Sequence, residues 1–300
     1  MIRTNDDSWD LSRSVGATAT MVATARAIAS RGPDPLINDT LAEELVRAVG
    51  LKLFTQIVDG VTSFADLGAD WVPRYFGIRG KAFDEFTGEA CRLGIRQAVI
   101  PASGLDCRAY RLEWPPSMTI YEVDQPAVIE WKQRTLADRG CSSTARHRCV
   151  GIDLRHDWPT ALRDAGFDET EPTVWIVEGL LVGYLSAKVQ DAILDEISEL
   201  SAPGSRIVAD HVDIRLPGAV GGVLNDFHDS WSKHDPDLDL RGLTFDDLRH
   251  DPAVYLAERG WITRNNTIAD LFRIVGRPTP AADDFPDDVR YMLYLNGIRN

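Results

Sequence analysis

From Gln97 onward short apolar runs that end in small or acidic residues alternate with helical stretches, without an internal sequence repeat. The runs are QAVIPAS from Gln97, MTIYEVD from Met118, HRCVGID from His147, TVWIVEG from Thr173 and SRIVADH from Ser205. Each has the length of a strand and is apolar on consecutive residues, as a strand covered on both faces must be. Between them lie stretches such as Ala127 to Arg139 and Ser186 to Leu200, the second with Val189, Ile193, Ile197 and Leu200 on one helical face. Strand and helix in alternation predict an α/β fold, a doubly wound and mostly parallel sheet with helices on both sides. A last apolar run, Val289 to Leu295, supplies a final strand.

The flanks read differently. Residues 1–95 form a helical cap, with helices expected over Thr18 to Ala29, Asp39 to Val49 and Lys81 to Leu93. Residues 96–300 form the sheet domain, and cap and sheet make one structural unit. After Asp210 the alternation lapses, and residues 212–255 read as a lid inserted after the fifth strand. Gly218, Gly221 and Gly222 would give it hinges, and Phe227 and Trp231 would close over a substrate.

Composition narrows the function. The chain carries 46 acidic against 32 basic residues and a formal charge of −14, which repels a phosphate backbone and disfavours nucleic acid as a partner. Cys91, Cys107, Cys141 and Cys149 have no CxxC spacing or Cys/His pairing suited to zinc, so no metal is expected and the thiols read as reduced. The N-terminus MIRTNDDSWD lacks a signal peptide's apolar stretch, and no run approaches 18 apolar residues, so a cytoplasmic protein away from membranes is expected.

In open α/β sheets ligands sit beyond the carboxyl ends of the strands, which singles out four segments. Ala102-Ser103-Gly104 begins a small turn after the first strand that lets backbone approach a ligand, or is a plain strand-to-helix turn. Against the dinucleotide pattern G-x-G-x-x-G its glycine slots hold Ala102, Gly104 and Cys107, so a pyrophosphate cradle is poorly supported. Asp124 ends the second strand 20 residues after Gly104, where a carboxylate accepts two hydrogen bonds from a ribose diol, its other reading being a cap before Pro126. Asp153 and Leu154 follow the third strand and suit an adenine amine and ring face, or a solvated loop. Glu178 follows a continuous apolar strand, and a carboxylate there is expensive to bury alone, so it is expected to face the cleft.

Taken in order, TARAIASRGPDPLI from Thr24, RYFGIRGKAFDEF from Arg74, QAVIPASGLDCRAYRL from Gln97, YEVDQPAVIEWK from Tyr121 and WIVEGLLVGYLS from Trp175 carry a resemblance. Over roughly residues 10 to 210 the chain resembles the actinobacterial S-adenosylmethionine-dependent methyltransferases related to leucine carboxyl methyltransferases. The resemblance implies a seven-stranded, Rossmann-like class I methyltransferase sheet and S-adenosyl-L-methionine as cofactor. It implies that Asp124 holds the ribose, Asp153 and Leu154 the adenine, and that Gly104 lies under the methionine portion. Arg74 would bind the methionine carboxylate, and Arg26 would face the same cleft. The chain departs from the family's usual strand before the glycine turn with Ile100-Pro101, and has Cys107 where Ser or Thr is common.

Because a sulfonium is already a good leaving group, alignment and exclusion of water are the main demands, and no enzyme nucleophile is needed. The expected partner is a small-molecule or peptide methyl acceptor, methylated on a carboxylate or hydroxyl oxygen. A carboxylate needs no general base, whereas a hydroxyl would call on His211, His228 or His234. The rival readings are an NAD-dependent oxidoreductase, which also uses an acidic residue like Asp124, and a protein that binds the cofactor without catalysis.

Overall fold

The computed structural model of the protein describes residues 15–213, 215, 219–281 and 283–300. The cap consists of α1 (Val15–Ala29), α2 (Thr40–Val49), α3 (Lys52–Val58) and α4 (Val72–Arg92). Asp39 caps α2 by accepting from the Ala42 N–H, and Gly50 ends it in the left-handed region, where a side chain would be strained. The fourth helix starts nine residues before the expected Lys81, because Pro73 sits in its first turn, where a missing N–H does no harm.

The sheet is built from β1 (Gln97–Pro101), β2 (Thr119–Asp124), β3 (Arg146–Gly151), β4 (Thr173–Leu181), β5 (Arg206–Val212), β6 (Trp261–Asn266) and β7 (Met292–Arg299). The connections carry α5 (Arg108–Arg111), α6 (Pro126–Ala137), α7 (Trp158–Asp164), α8 (Ala187–Glu199), α9 (Ala219–Trp231), α10 (Pro252–Ala257) and α11 (Ile268–Ile274). Strand order is β3-β2-β1-β4-β5-β7-β6. The first five pair in parallel, and β7 runs antiparallel to both of its neighbours. This is the doubly wound sheet the alternation implied, with the strand order reversing between β1 and β4.

Alternate strand residues feed two cores. Ala98, Ile100, Ile120, Val174, Ile176 and Val208 pack with the cap helices. Val99, Tyr121, Val123, Trp175, Val177 and Ile207 pack on the other face with α7, α8 and α10. The period-2 split is what pleating imposes. Two expectations need revision. The third strand lies at the sheet edge and is buried on consecutive residues nowhere, since no neighbour covers its far side. The segment WITRNN, not singled out by its polar residues, is β6, which reaches only β7. No helix among the described residues is long and apolar enough to cross a membrane.

The stretch 212–255 is not one irregular loop, because it contains α9, with Trp231 fully buried. Phe227 stacks on Trp231 at 4.3 Å and on Trp71 at 5.9 Å, which ties α9 to the start of α4. Gly221 is inside that helix, where a Cβ would come within 2.7 Å of the Thr244 hydroxyl. Its place is therefore explained by close approach and not by hinge freedom. Gly218 lies outside the described residues.

Candidate functional site

A cavity of about 220 Å³ opens where β1 and β4 diverge, at the carboxyl ends of the strands and beneath α1, α4 and α9. Ala102, Ser103, Gly104, Asp124, Glu178 and Arg26 all line it, so six of the residues singled out in the sequence meet at one place.

The turn after β1 is built for close approach. Ala102 has φ +51° and Gly104 φ +43°, two left-handed residues within three. For alanine this costs roughly 1–2 kcal/mol, a strain tolerated when the surroundings fix the turn. They do. The Gly104 N–H donates to Asp124 Oδ2 at 2.6 Å, and the Gln125 N–H donates to Asp124 Oδ1 at 2.7 Å. Below the turn Lys132, fully buried, donates from Nζ to Ser103 Oγ at 3.1 Å and to the Asp106 carbonyl at 3.2 Å. Its charge is balanced by buried Glu122 at 2.9 Å. Pairing of β1 with β4 stops at Val99 and Trp175, two residues before Pro101. Burial lifts the Asp124 carboxyl above its ordinary value although both N–H groups oppose the shift.

Glu178 reaches the cleft because β4 is irregular. Its pairing with β5 slips between Val177 and Leu181, and Gly179, at φ +73°, donates its N–H to Asp210 Oδ1 at 2.5 Å. Glu178 meets Arg108 Nη1 at 2.5 Å and Arg79 Nη2 at 2.9 Å. Burial pushes its carboxyl up, but these two guanidiniums pull it well below the usual carboxylate range. Arg79 also donates to Asp210 Oδ2 at 2.8 Å, and Arg108 spans Asp84 at 2.8 Å and Asp106. Arg26 donates to Asp39 Oδ2 and to the Leu105 carbonyl, both at 2.8 Å, pinning the first helix to the turn.

Three sequence choices fall elsewhere. Arg74 does not line the cleft; its guanidinium turns to Asp284 at 2.8 Å and lies over the Phe272 ring. Asp153 is also outside the lining, its carboxylate taken up by Arg155 and, at 3.2 Å, by Gln125 Nε2, the residue next to Asp124. Leu154 packs against the core beneath α7 and α8. Of the histidines, His211 is buried between the Val212 carbonyl and Asn265, His228 faces Asp239, and none lines the cleft among the described residues.

What the sequence left out is the basic side of the network. Arg79 lies in the cleft wall, with Nε buried and without a partner. The signal was present, since Arg79 follows Arg74 by five residues in the same motif, but only the orientation of α4 decides between them. The strands also bring ligating atoms of Glu122, His147 and Cys149 within 4.8 Å of one another; His147 and Cys149 stand two apart on β3 and so share a face, a Cys/His pairing present in the sequence, and the neighbouring strand adds Glu122. Lys132 already neutralises that carboxylate.

Known proteins similar to the chain give its family and its fold. The profile of the leucine carboxyl methyltransferase family matches residues 19–198. A Mycobacterium marinum protein, placed by name among the S-adenosyl-L-methionine-dependent methyltransferases, is 46% identical over 307 residues, covering 98% of this chain and 94% of its own length. A Mycobacterium sp. strain JLS protein of the same name is 50% identical over 287 residues, covering 94% and 95%. In fold, the chain is similar to a Thermobifida fusca protein named as a methyltransferase, with a TM-score of 0.57 at 15% identity and 97% of both chains covered.

Proposed function

Since this chain belongs to the leucine carboxyl methyltransferase family and is an S-adenosyl-L-methionine-dependent methyltransferase, we propose that the cleft between β1 and β4 holds that cofactor and that the methyl group goes to an oxygen of the acceptor. The observation that carries this reading is the joint at the strand switch, where the Gly104 N–H meets the Asp124 carboxylate at 2.6 Å. It sets a tight backbone turn beside an acceptor of ribose hydroxyls, while Ala102 and Cys107 in the flanking glycine slots argue against a pyrophosphate.

The residues present fit the cofactor. Asp124 would take the ribose, and the turn Ala102-Ser103-Gly104 would run under the methionine portion. Arg79 is better placed than Arg74 for the methionine carboxylate, because its buried Nε lacks a partner and a guanidinium suits that group. Asp153 and Leu154 would take the adenine end although neither lines the cavity, Asp153 being tied by Gln125 Nε2 to the residue next to Asp124. Glu178 closes the polar wall by holding Arg79 and Arg108 in place. When bound, the cofactor supplies an activated methyl group on a sulfonium sulfur, and this chain's residues have to orient it and keep water away. The α9 segment would serve as the lid, covering the cleft with Val220, Val223, Leu224 and Phe227.

Calorimetric titration of the purified chain with S-adenosyl-L-methionine, S-adenosyl-L-homocysteine and NAD tests the reading. Saturable binding of the first two and none of NAD is expected. Saturable NAD binding with no response to the methionine compounds would overturn it.

A further inference from the structure

Beyond the polar turn the cleft changes character. Trp71, which caps α4, and Tyr75 and Phe76 of that helix line it together with Val223, Leu224 and Phe227 of α9, and Trp71 stacks on Phe227 at 5.9 Å. A group bound there is surrounded by apolar and aromatic side chains, so the acceptor's body is apolar.

The charged groups restrict its reacting end. The lining cations among the described residues are Arg26 and Arg79. Arg26 is paired with Asp39, and Arg79 with Asp210 and Glu178, leaving one Nε that the reading above gives to the methionine carboxylate. The lining acids are Asp106, Asp124 and Glu178. An acceptor carboxylate would therefore enter already charged and be desolvated beside a wall with more acids than cations among the described residues, with only the bound sulfonium to offset it, whereas a hydroxyl enters neutral.

General bases are equally scarce. Asp106 is held by the backbone N–H and guanidinium of Arg108, Asp124 by two backbone N–H groups, and Glu178 by two arginines. The Tyr75 hydroxyl is engaged with that of Tyr294 at 2.6 Å. The lining hydroxyls of Thr18, Ser103 and Tyr184 are not bases near neutral pH. An aliphatic alcohol, which ionises only with help, finds no free base among the described lining residues.

From these three restrictions, and resting on the cofactor reading, we propose that the methyl acceptor is a small conjugated molecule with an apolar body and a weakly acidic hydroxyl, a phenol or an enol. Such a hydroxyl ionises at about pH 10 without an enzyme base, and more readily beside a bound cation. Its oxygen bonds to the methyl carbon as the carbon–sulfur bond breaks, the bonding pair stays on sulfur, and the hydroxyl proton leaves to solvent.

One ring body with different heads provides the test: 2-naphthol, 2-naphthoate, 2-naphthylmethanol and, separately, a short peptide ending in leucine. Each is titrated calorimetrically into the protein saturated with S-adenosyl-L-homocysteine, and each is incubated with S-adenosyl-L-methionine and assayed for the methylated product by mass. Saturable 2-naphthol binding is expected, with kcat/KM at least tenfold above the other three. Equal or faster methylation of the naphthoate, the alcohol or the peptide would overturn the proposal, as would no 2-naphthol binding to the loaded protein. If S-adenosyl-L-homocysteine itself fails to bind, the cofactor reading falls, and this shows before any acceptor is added. Leu224→Asp should weaken 2-naphthol binding to the loaded protein at least tenfold, and by more than it weakens S-adenosyl-L-homocysteine binding. Val223→Thr, milder for the fold, should weaken 2-naphthol binding about threefold, and unchanged affinity in both folded variants would place the acceptor elsewhere.

Discussion

The two walls of the cleft are held by different forces. On the sheet side, Arg26, Arg79 and Arg108 share buried carboxylates from α2, α4, β4 and β5, and each contact has a direction and a length. On the other side, α9 is held chiefly by stacked rings, Trp71 on Phe227 on Trp231, beside a longer directed bond from Trp231 Nε1 to the Leu67 carbonyl at 3.3 Å. A charge network fixes atoms at the cost of severe penalties when one member is removed. Ring packing tolerates rearrangement, as the proposed lid would require.

The sharpest way to break this contrast is Arg108→Met. It would take the guanidinium from Asp106 and one of two arginines from each of Asp84 and Glu178, which keep Arg111 and Arg79, and a stability loss of about 3–5 kcal/mol by urea unfolding is expected. A loss below about 1 kcal/mol would mean that the network is not the rigid wall. Next in size is the pair Arg79→Met and Arg74→Met. The first should weaken S-adenosyl-L-homocysteine binding by about 1–3 kcal/mol and the second by less than about 0.5, because only Arg79 lines the cleft. The reverse order would return the carboxylate to Arg74.

How these residues stood in the sequence follows the same division. β1, β2, β4 and β5 were legible because burial on both faces leaves continuous apolar runs, and Gly104, Asp124 and Glu178 were found by their positions at strand ends. β6 was not, since its single neighbour leaves Ile262, Arg264 and Asn265 exposed and removes the apolar signal. Arg79 and Arg74 stand about 140° apart around one helix, and which points inward depends on how α4 packs. α9 was hidden by Gly221 and Gly222, which weaken a helix locally and read as loop.

The apolar wall makes a smaller claim. Amide exchange across α9 should slow by about tenfold when S-adenosyl-L-homocysteine saturates the protein, about 1.4 kcal/mol of added protection, while exchange in β1 and β4 changes less. Unchanged exchange in α9 would remove its role as a lid. Smallest is the effect of His147, behind the polar wall. Burial pulls its imidazole down, but bonds to Cys149 and Glu122 outweigh that and raise it to about 9. A raised folded value means the contribution is complete below the unfolded value of about 6.5 and is lost as pH climbs through about 9. His147→Gln should therefore cost on the order of 1 kcal/mol at pH 6 and almost nothing at pH 10. A penalty that grows with pH would contradict the ion pair with Glu122.

The polar wall stands or falls as the cofactor site on Asp124, whose carboxylate joins the turn to the end of β2. The direct measurement is the calorimetric affinity of S-adenosyl-L-homocysteine for Asp124→Ala, with far-ultraviolet circular dichroism to show that the variant folds. A loss of about 1–3 kcal/mol is expected, with a smaller loss for Asp153→Ala. Wild-type affinity in a folded Asp124→Ala would contradict the placement of the cofactor between β1 and β4.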